Sequence, residues 1–119
     1  MENTITSELQ LQAHCYLWFH NNLPKHRGCF RRVRNETDVK GRAGMILGQQ
    51  NKATGIIAGT WDSFFVIDPI VWIEFKFGRG TLSQAQREFQ AIGEEAGWNF
   101  HVIKSLETFK LVANGYFSK

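Results

Sequence analysis

Residues 61–77 constrain the fold of this chain more than any other stretch. They read WDSFFVI and VWIEFKF on either side of an Asp-Pro turn, a pattern that predicts a β-hairpin. Asp62, Glu74 and Lys76 interrupt these otherwise apolar strands. Charged side chains are rarely buried unless they are paired or bind a metal. We therefore expect these three residues to have a function.

Strand alternation predicts where the three charges point. Side chains along a strand alternate between the two faces of the sheet, so Trp72, Glu74 and Lys76 share the face opposite the core. Pairing Ile67 with Val71 across a three-residue turn would place Asp62 opposite Lys76. Paired residues point to the same side. The sequence therefore predicts that Asp62, Glu74 and Lys76 converge, and a slip of one residue would separate them.

The segments before the hairpin predict a helix and a basic strand. Apolar and aromatic residues recur at three- and four-residue spacing over 3–21, with Thr4 or Thr6 as the cap; the spaced residues are Ile5, Leu9, Ala13, Tyr16, Leu17 and His20. GCFRRVRN predicts a strand with one exposed basic face. Residues 41–59 are glycine-rich and predict short strands or turns, where Gly55 and Gly59 would allow tight turns or close approach of another chain.

Two helices and a strand are expected after the hairpin. Residues 81–97 predict a helix with Leu82, Ala85, Phe89 and Ile92 facing inward. Ser83 and Gln86 form a capping-box pattern at its start, and Gly97 ends it. WNFHVIK predicts a strand, and a closing helix starts at Ser105. The order α-β-β-β-α-β-α predicts one α/β domain over 1–119, with a mixed central β-sheet flanked by helices.

The positive charge of the chain is concentrated in one segment. Seven basic and two acidic residues lie between Lys25 and Arg42, whereas the whole chain has a net charge of +3. Such a block is typical either of a phosphate-contacting surface or of a solvated basic loop. No signal peptide or membrane span is visible, and Cys15 and Cys29 are too few for a disulfide scaffold. These features predict a cytoplasmic protein with buried, reduced thiols that does not enter a membrane; the alternative for the cysteines is one bridge in an exported protein.

Two carboxylates and a lysine on one sheet face suit phosphodiester hydrolysis. Carboxylate oxygens are good ligands for Mg²⁺ or Mn²⁺, and a lysine could orient a water molecule or stabilise charge on the phosphate. The alternative is a structural salt-bridge ladder of Asp62, Lys76 and Glu74, which the spacing alone does not exclude.

The motifs GIIAGTWD and WIEFKFGRGTLSQAQREF resemble the VRR-NUC branch (virus-type replication-repair nucleases) of the PD-(D/E)XK superfamily. The resemblance implies a restriction-endonuclease-like fold in which Asp62, Glu74 and the Phe75 carbonyl hold Mg²⁺ or Mn²⁺. It implies that Lys76 is catalytic and that Glu8 belongs to the metal site from the first helix, in contact with a metal-bound water; the alternative is a solvated glutamate on the helix face. Gln86 falls within the motif, either as a capping residue or beside a phosphate. Trp61 departs from the proline that this family usually has there.

The resemblance also suggests the substrate and the partner. It implies a phage endonuclease that cleaves branched DNA such as Holliday junctions during replication and repair, without an organic cofactor. Expected phosphate contacts come from Arg31, Arg32, Arg34, Lys40, Arg42 and Arg79. Cutting both strands of a junction needs two sites, so a homodimer is expected, joined through MILG, GIIAG or the last helix (Phe109, Val112, Tyr116, Phe117). The alternatives are a catalytically silent nucleic-acid-binding module, or a nuclease of flap DNA or RNA.

Overall fold

The computed structural model describes residues 4–33, 42–43, 45–46, 49–50 and 58–117. The helices are α1 (Glu8–Asn22), α2 (Gln84–Glu95) and α3 (Leu106–Phe117), and a short 3₁₀ helix spans Pro24–His26. The strands are β1 (Phe30–Arg32), β2 (Ser63–Phe65), β3 (Val71–Phe75) and β4 (Asn99–Ile103).

The four strands form one mixed sheet between helices on both faces. They lie in the order β1-β2-β3-β4; the first two pairs are antiparallel, and β4 is parallel to β3. One face packs against α1 and α3 through an apolar core that includes Leu11, Phe65, Ile73 and Phe109. This architecture confirms the predicted α/β class, with a mixed sheet flanked by helices.

An aromatic layer joins α2 to the other face of the sheet. Phe89 of α2 lies 5.0 Å from the Trp72 ring and 6.0 Å from the Phe100 ring. Trp98 and Trp61 complete the layer, the latter 4.9 Å from Phe100. Since Trp72 alternates with Val71 and Ile73 along β3, the strand buries side chains on both faces, and all five of its residues are buried.

The hairpin register differs from the predicted one by two residues. Phe65, rather than Ile67, pairs with Val71, and Ser63 pairs with Ile73. The connection between the two strands is longer than expected. The Val66 N–H donates to the carbonyl of Cys29, just before β1, at 2.7 Å, and the Ile67 N–H donates to the Phe65 carbonyl. A shift of two residues leaves every side chain on its predicted face, so the expected convergence of charges survives the error.

The first helix starts later than predicted and buries a different face. It begins at Glu8 with Ser7, not Thr4 or Thr6, as the N-cap. Leu9 and Leu17 are 65% and 61% exposed, whereas Leu11 and Cys15 are fully buried. The predicted apolar face was therefore wrong. Leucines lie on several sides of this helix, so periodicity alone does not identify the buried side.

Two further predictions fail, one of secondary structure and one of side-chain burial. The described residues among 42–50 are helical, whereas short strands or turns were expected there. Ile92 on α2 is 68% exposed, and Gly93 occupies the buried position instead. A bulky residue at position 93 would collide with Phe100 and Trp98, so the helix presents its smallest residue to the aromatic layer.

The start of α2 is fixed close to the segment that precedes β2. The capping box of Ser83 and Gln86 is confirmed. Gly59 has φ +98°, and a Cβ there would collide with the backbone carbonyl of Ala85. Only glycine meets both requirements. The special backbone expected at Gly59 is present, but the segment that approaches it is α2 of the same chain rather than another chain. Gly55 lies outside the described residues.

The described residues also bear on thiols and membrane spans. Both Cys15 and Cys29 are free, as predicted, and burial, with a smaller contribution from the charge of Glu107, raises the pKa of the Cys15 thiol to about 12. Within the ranges that the structure describes, no helix combines the length and apolar character that crossing a bilayer requires.

Candidate metal centre and basic strand

The candidate site lies where the start of β2 meets the end of β3. Asp62 immediately precedes β2, and Glu74 is the fourth residue of β3. The Asp62 N–H donates to Glu74 Oε1 at 3.0 Å, and the Phe75 N–H donates to Asp62 Oδ2 at 3.3 Å. These two hydrogen bonds hold the carboxylates side by side, so the predicted convergence is confirmed with Asp62 beside Glu74 rather than Lys76.

The second oxygen of Glu74 contacts a cation and an amide. Lys76 Nζ lies 3.1 Å from Glu74 Oε2, and its side chain is 15% exposed. Gln86 Nε2 donates to the same oxygen at 2.8 Å, while Gln86 Oε1 accepts the N–H of Ser83 at 2.9 Å. Gln86 therefore has two roles at once: it caps α2 and it orients Glu74.

Glu8 brings a third carboxylate to the site from α1. Oxygens of Glu8, Asp62 and Glu74 all lie within 4.8 Å of one another. Glu8 is exposed in the first turn of α1, Asp62 is half-buried and Glu74 is buried. The sequence predicted this set, including the contribution from the first helix.

Burial and the charge of Asp62 disfavour the charged forms of Glu74 and Glu8. The pKa of Glu74 rises from 4.5 to about 7, first because of burial and then because of the neighbouring Asp62, while Lys76 offsets part of the effect. Burial also raises the pKa of Glu8, with Lys76 opposing and Asp62 adding to the rise. A cluster of this kind is stabilised by additional positive charge.

The donor set fits a hard divalent cation. All three donors are carboxylate oxygens, the ligands that Mg²⁺, Mn²⁺ and Ca²⁺ prefer. Opposite ligand oxygens are roughly 4 Å apart around Mg²⁺ and roughly 5 Å apart around Ca²⁺. The oxygens of the cluster lie within 4.8 Å of one another, which is comparable with these separations.

Two arginines border this centre on β1. Arg32 pairs with Ser63, and Arg31 pairs with Phe64, so both lie on the strand next to Asp62. The Val33 N–H donates to the Asp62 carbonyl at 2.6 Å, which ties β1 directly to the site. Both arginines are exposed, although the Arg31 Nε–H is bonded to the Gly28 carbonyl at 2.7 Å.

Four other residues were predicted to contact phosphate: Arg34, Lys40, Arg42 and Arg79. Arg79 is exposed in the turn after β3, and Arg42 is an exposed residue with helical backbone. Arg34 and Lys40 lie outside the described residues. The structure therefore places Arg31 and Arg32 on the strand that pairs with β2, next to Asp62 in the sheet.

Two details of the predicted site and dimer need separate comment. The Phe75 N–H contacts Asp62, while the use of the Phe75 carbonyl as a metal ligand stays a prediction. The last helix was one candidate for a dimer surface, but Phe109 and Phe117 are buried in the core of the chain itself. These two residues therefore do not offer the apolar surface expected of them, and the homodimer itself stays a prediction. Met45 and Ile46 of the MILG segment are 68% and 46% exposed.

Sequence reasoning missed two buried polar residues beside the site. Gln12 lies one helical turn after Glu8, and Ser63 directly follows Asp62. The spacing of Glu8 and Gln12 was the available signal, because residues four apart lie on the same helix face.

Neither a scan against protein-family models nor searches among curated proteins and solved structures found a match to this chain. The resemblance to VRR-NUC nucleases therefore stays a prediction that rests on the motifs.

The double role of Gln86 gives a testable separation of stability and binding. Ser83→Ala removes only the capping hydroxyl, whereas Gln86→Ala also removes the hydrogen bond to Glu74. We expect each change to lower the free energy of unfolding by about 1 kcal/mol. Only Gln86→Ala should weaken Mn²⁺ binding, by about tenfold, because it frees the carboxylate to rotate. Chemical denaturation and titration calorimetry measure the two effects, and equal Mn²⁺ affinity in both variants would contradict the orienting role.

Proposed function

We propose that this chain is a divalent-cation-dependent endonuclease of DNA with a PD-(D/E)XK fold of the VRR-NUC branch. The observation that carries the proposal is the meeting of Glu8, Asp62 and Glu74 within 4.8 Å, with Lys76 in contact with Glu74. A purely structural ladder would not need Glu8 from a separate helix. It also would not need a buried carboxylate with a pKa near 7 at the end of the sheet.

Each residue has a distinct part in this proposal. Asp62 and Glu74 would hold Mg²⁺ or Mn²⁺, and Glu8 would complete the set from α1. When bound, the cation would supply Lewis acidity to the scissile phosphate and lower the pKa of a water molecule. Lys76 places its ammonium group beside Glu74, where it can stabilise negative charge that develops on the phosphate. Gln86 holds the Glu74 carboxylate in place.

The basic strand supports a nucleic-acid substrate. Arg31 and Arg32 are exposed on β1, which pairs with β2, the strand that directly follows Asp62. Arginine forms bidentate contacts with phosphate and contributes salt-dependent affinity that does not depend on base sequence. Branched DNA and a symmetric homodimer are the substrate and assembly that the resemblance suggests, and both belong to this proposal.

A cleavage assay tests the proposal. Labelled four-way junctions, flaps, linear DNA and RNA would be incubated with Mg²⁺ or Mn²⁺ and with chelator. The test variant is Asp62→Asn, and Asp68→Asn, an exposed aspartate in the hairpin turn, is the matched control. We expect metal-dependent cleavage, highest on the junction, that falls at least a hundredfold in Asp62→Asn alone.

The alternatives give different results in the same assay. Binding of all nucleic acids without cleavage would support a silent binding module and overturn the nuclease proposal. Faster cleavage of flaps or RNA than of junctions would retain the nuclease and replace its substrate.

A further inference from the structure

A buried polar pair lies in the apolar core behind the candidate metal centre. Gln12 is 6% exposed and Ser63 is fully buried, and Gln12 Nε2 donates to Ser63 Oγ at 3.4 Å. The two residues are 51 positions apart in sequence. A buried hydrogen bond of this kind adds little net stability compared with an apolar pair of similar shape. Folding stability alone therefore does not account for it.

The pair connects the two elements that carry the carboxylates. Gln12 is four residues after Glu8, so both side chains lie on one face of α1. Ser63 directly follows Asp62. The Gln12–Ser63 hydrogen bond therefore joins α1 to β2 one helical turn after Glu8 and one residue after Asp62, and the carboxylates of Glu8 and Asp62 lie within 4.8 Å of each other.

Apolar packing and the polar pair both act on the rotation of α1. Leu11, Cys15 and Phe19 are buried while Leu9 and Leu17 are exposed, so apolar packing decides which side of α1 faces the core. Apolar contact has no directional preference, so it tolerates small rotations of the helix about its axis. A buried polar pair does distinguish between registers, because any other register leaves its groups unpaired.

We propose that Gln12 and Ser63 are positioning residues that set the rotation of α1 and so align Glu8 with Asp62 for cation binding. This inference rests on the proposed function of the cluster. The pair contacts neither the cation nor the substrate; it acts through the placement of Glu8.

The test separates positioning from stability with three variants: Gln12→Leu, Ser63→Ala and the double variant. Each single change leaves one polar group buried and unpaired, so both single variants should lose stability. The double variant replaces the pair by apolar groups and should recover most of that loss. Mn²⁺ affinity, measured by titration calorimetry, should remain about tenfold below wild type in the double variant. Gln90→Leu, a glutamine on α2 bonded to Glu94, is the matched control and should bind Mn²⁺ like the wild type.

The possible outcomes are distinguishable. A double variant that is folded and binds Mn²⁺ as tightly as the wild type would overturn the positioning role and leave the proposed function intact. Failure of the wild type itself to bind Mn²⁺, or equal binding by Asp62→Asn, would overturn the proposed function and this inference with it. Circular dichroism checks the fold of every variant, and the double variant decides the result if a single variant unfolds.

Discussion

Lys76→Ala is expected to lower metal-dependent DNA cleavage by about a hundredfold to a thousandfold while DNA binding changes little. The ammonium group of Lys76 contacts Glu74 at 3.1 Å and lies beside the carboxylate cluster. Its main contribution would come as negative charge increases on the phosphate, so its loss affects the rate more than the affinity. Lys104→Ala removes an exposed lysine just after β4 and should leave the rate unchanged.

The pH dependence of this variant separates two causes of the rate loss. Lys76 opposes the rise in the pKa of Glu74, so its removal raises that pKa further and protonates more of the carboxylate near pH 7. Single-turnover cleavage would be measured from pH 6 to pH 9. A deficit that persists at pH 9 reports the direct role of the lysine, whereas full recovery there would contradict it. Wild-type rates in Lys76→Ala throughout would reject the catalytic assignment.

Glu74→Gln is expected to abolish cleavage. In the metal-free protein, the same change should also eliminate the decrease in stability that ionisation of Glu74 causes as the pH rises. Folding raises the pKa of Glu74 from 4.5 to about 7. Its contribution to stability is therefore fully present below pH 4.5 and is lost as the pH rises to about 7. The shift corresponds to at most roughly 3 kcal/mol of unfolding free energy, since one pKa unit is worth about 1.4 kcal/mol.

Comparison of the variant with the wild type isolates Glu74 from other titrating groups. Burial lowers the pKa of His101, which acts in the opposite direction in a nearby pH range, but this effect is common to both proteins. Chemical denaturation in chelator from pH 4 to pH 8 gives the difference in stability. Glu88→Gln, an exposed carboxylate on α2, should follow the wild-type curve. Parallel curves for Glu74→Gln and wild type would contradict the raised pKa.

Added Mn²⁺ should reverse the loss above pH 7. A cation that binds the folded state stabilises it in proportion to the logarithm of its concentration over its dissociation constant. Protons compete with the cation for Glu74, so the stabilisation should be larger at pH 8 than at pH 6. Glu74→Gln should show neither effect.

The sequence was sufficient to place the two candidate carboxylates of the hairpin because their geometry depends on strand parity. Asp62 and Glu74 remain on one face whether the hairpin pairs Ile67 or Phe65 with Val71, since the two registers differ by an even number of residues. The capping box of Ser83 and Gln86 was equally secure because it is a local interaction at fixed spacing. Local rules and parity therefore predicted most of the site.

Tertiary packing decided what the sequence did not reveal. Leu9, Leu17 and Ile92 fit the helical spacing expected of buried positions, yet the sheet covers Leu11, Cys15 and Gly93 instead. The Gln12–Ser63 contact joins residues 51 positions apart and has no local signature. Likewise, the true hairpin register depends on Val66, whose N–H bonds to Cys29 on a third segment.

The aromatic layer under α2 has an optical consequence. Three of the four tryptophans, Trp61, Trp72 and Trp98, belong to that layer, whereas Trp18 packs against Phe109 on the opposite side of the sheet. The Trp61 indole N–H donates to the Gln86 carbonyl at 3.0 Å, and the Gln86 amide holds Glu74. Three of the four tryptophans therefore report on the α2 face of the sheet, and one of them, Trp61, is linked to the carboxylates through a single glutamine.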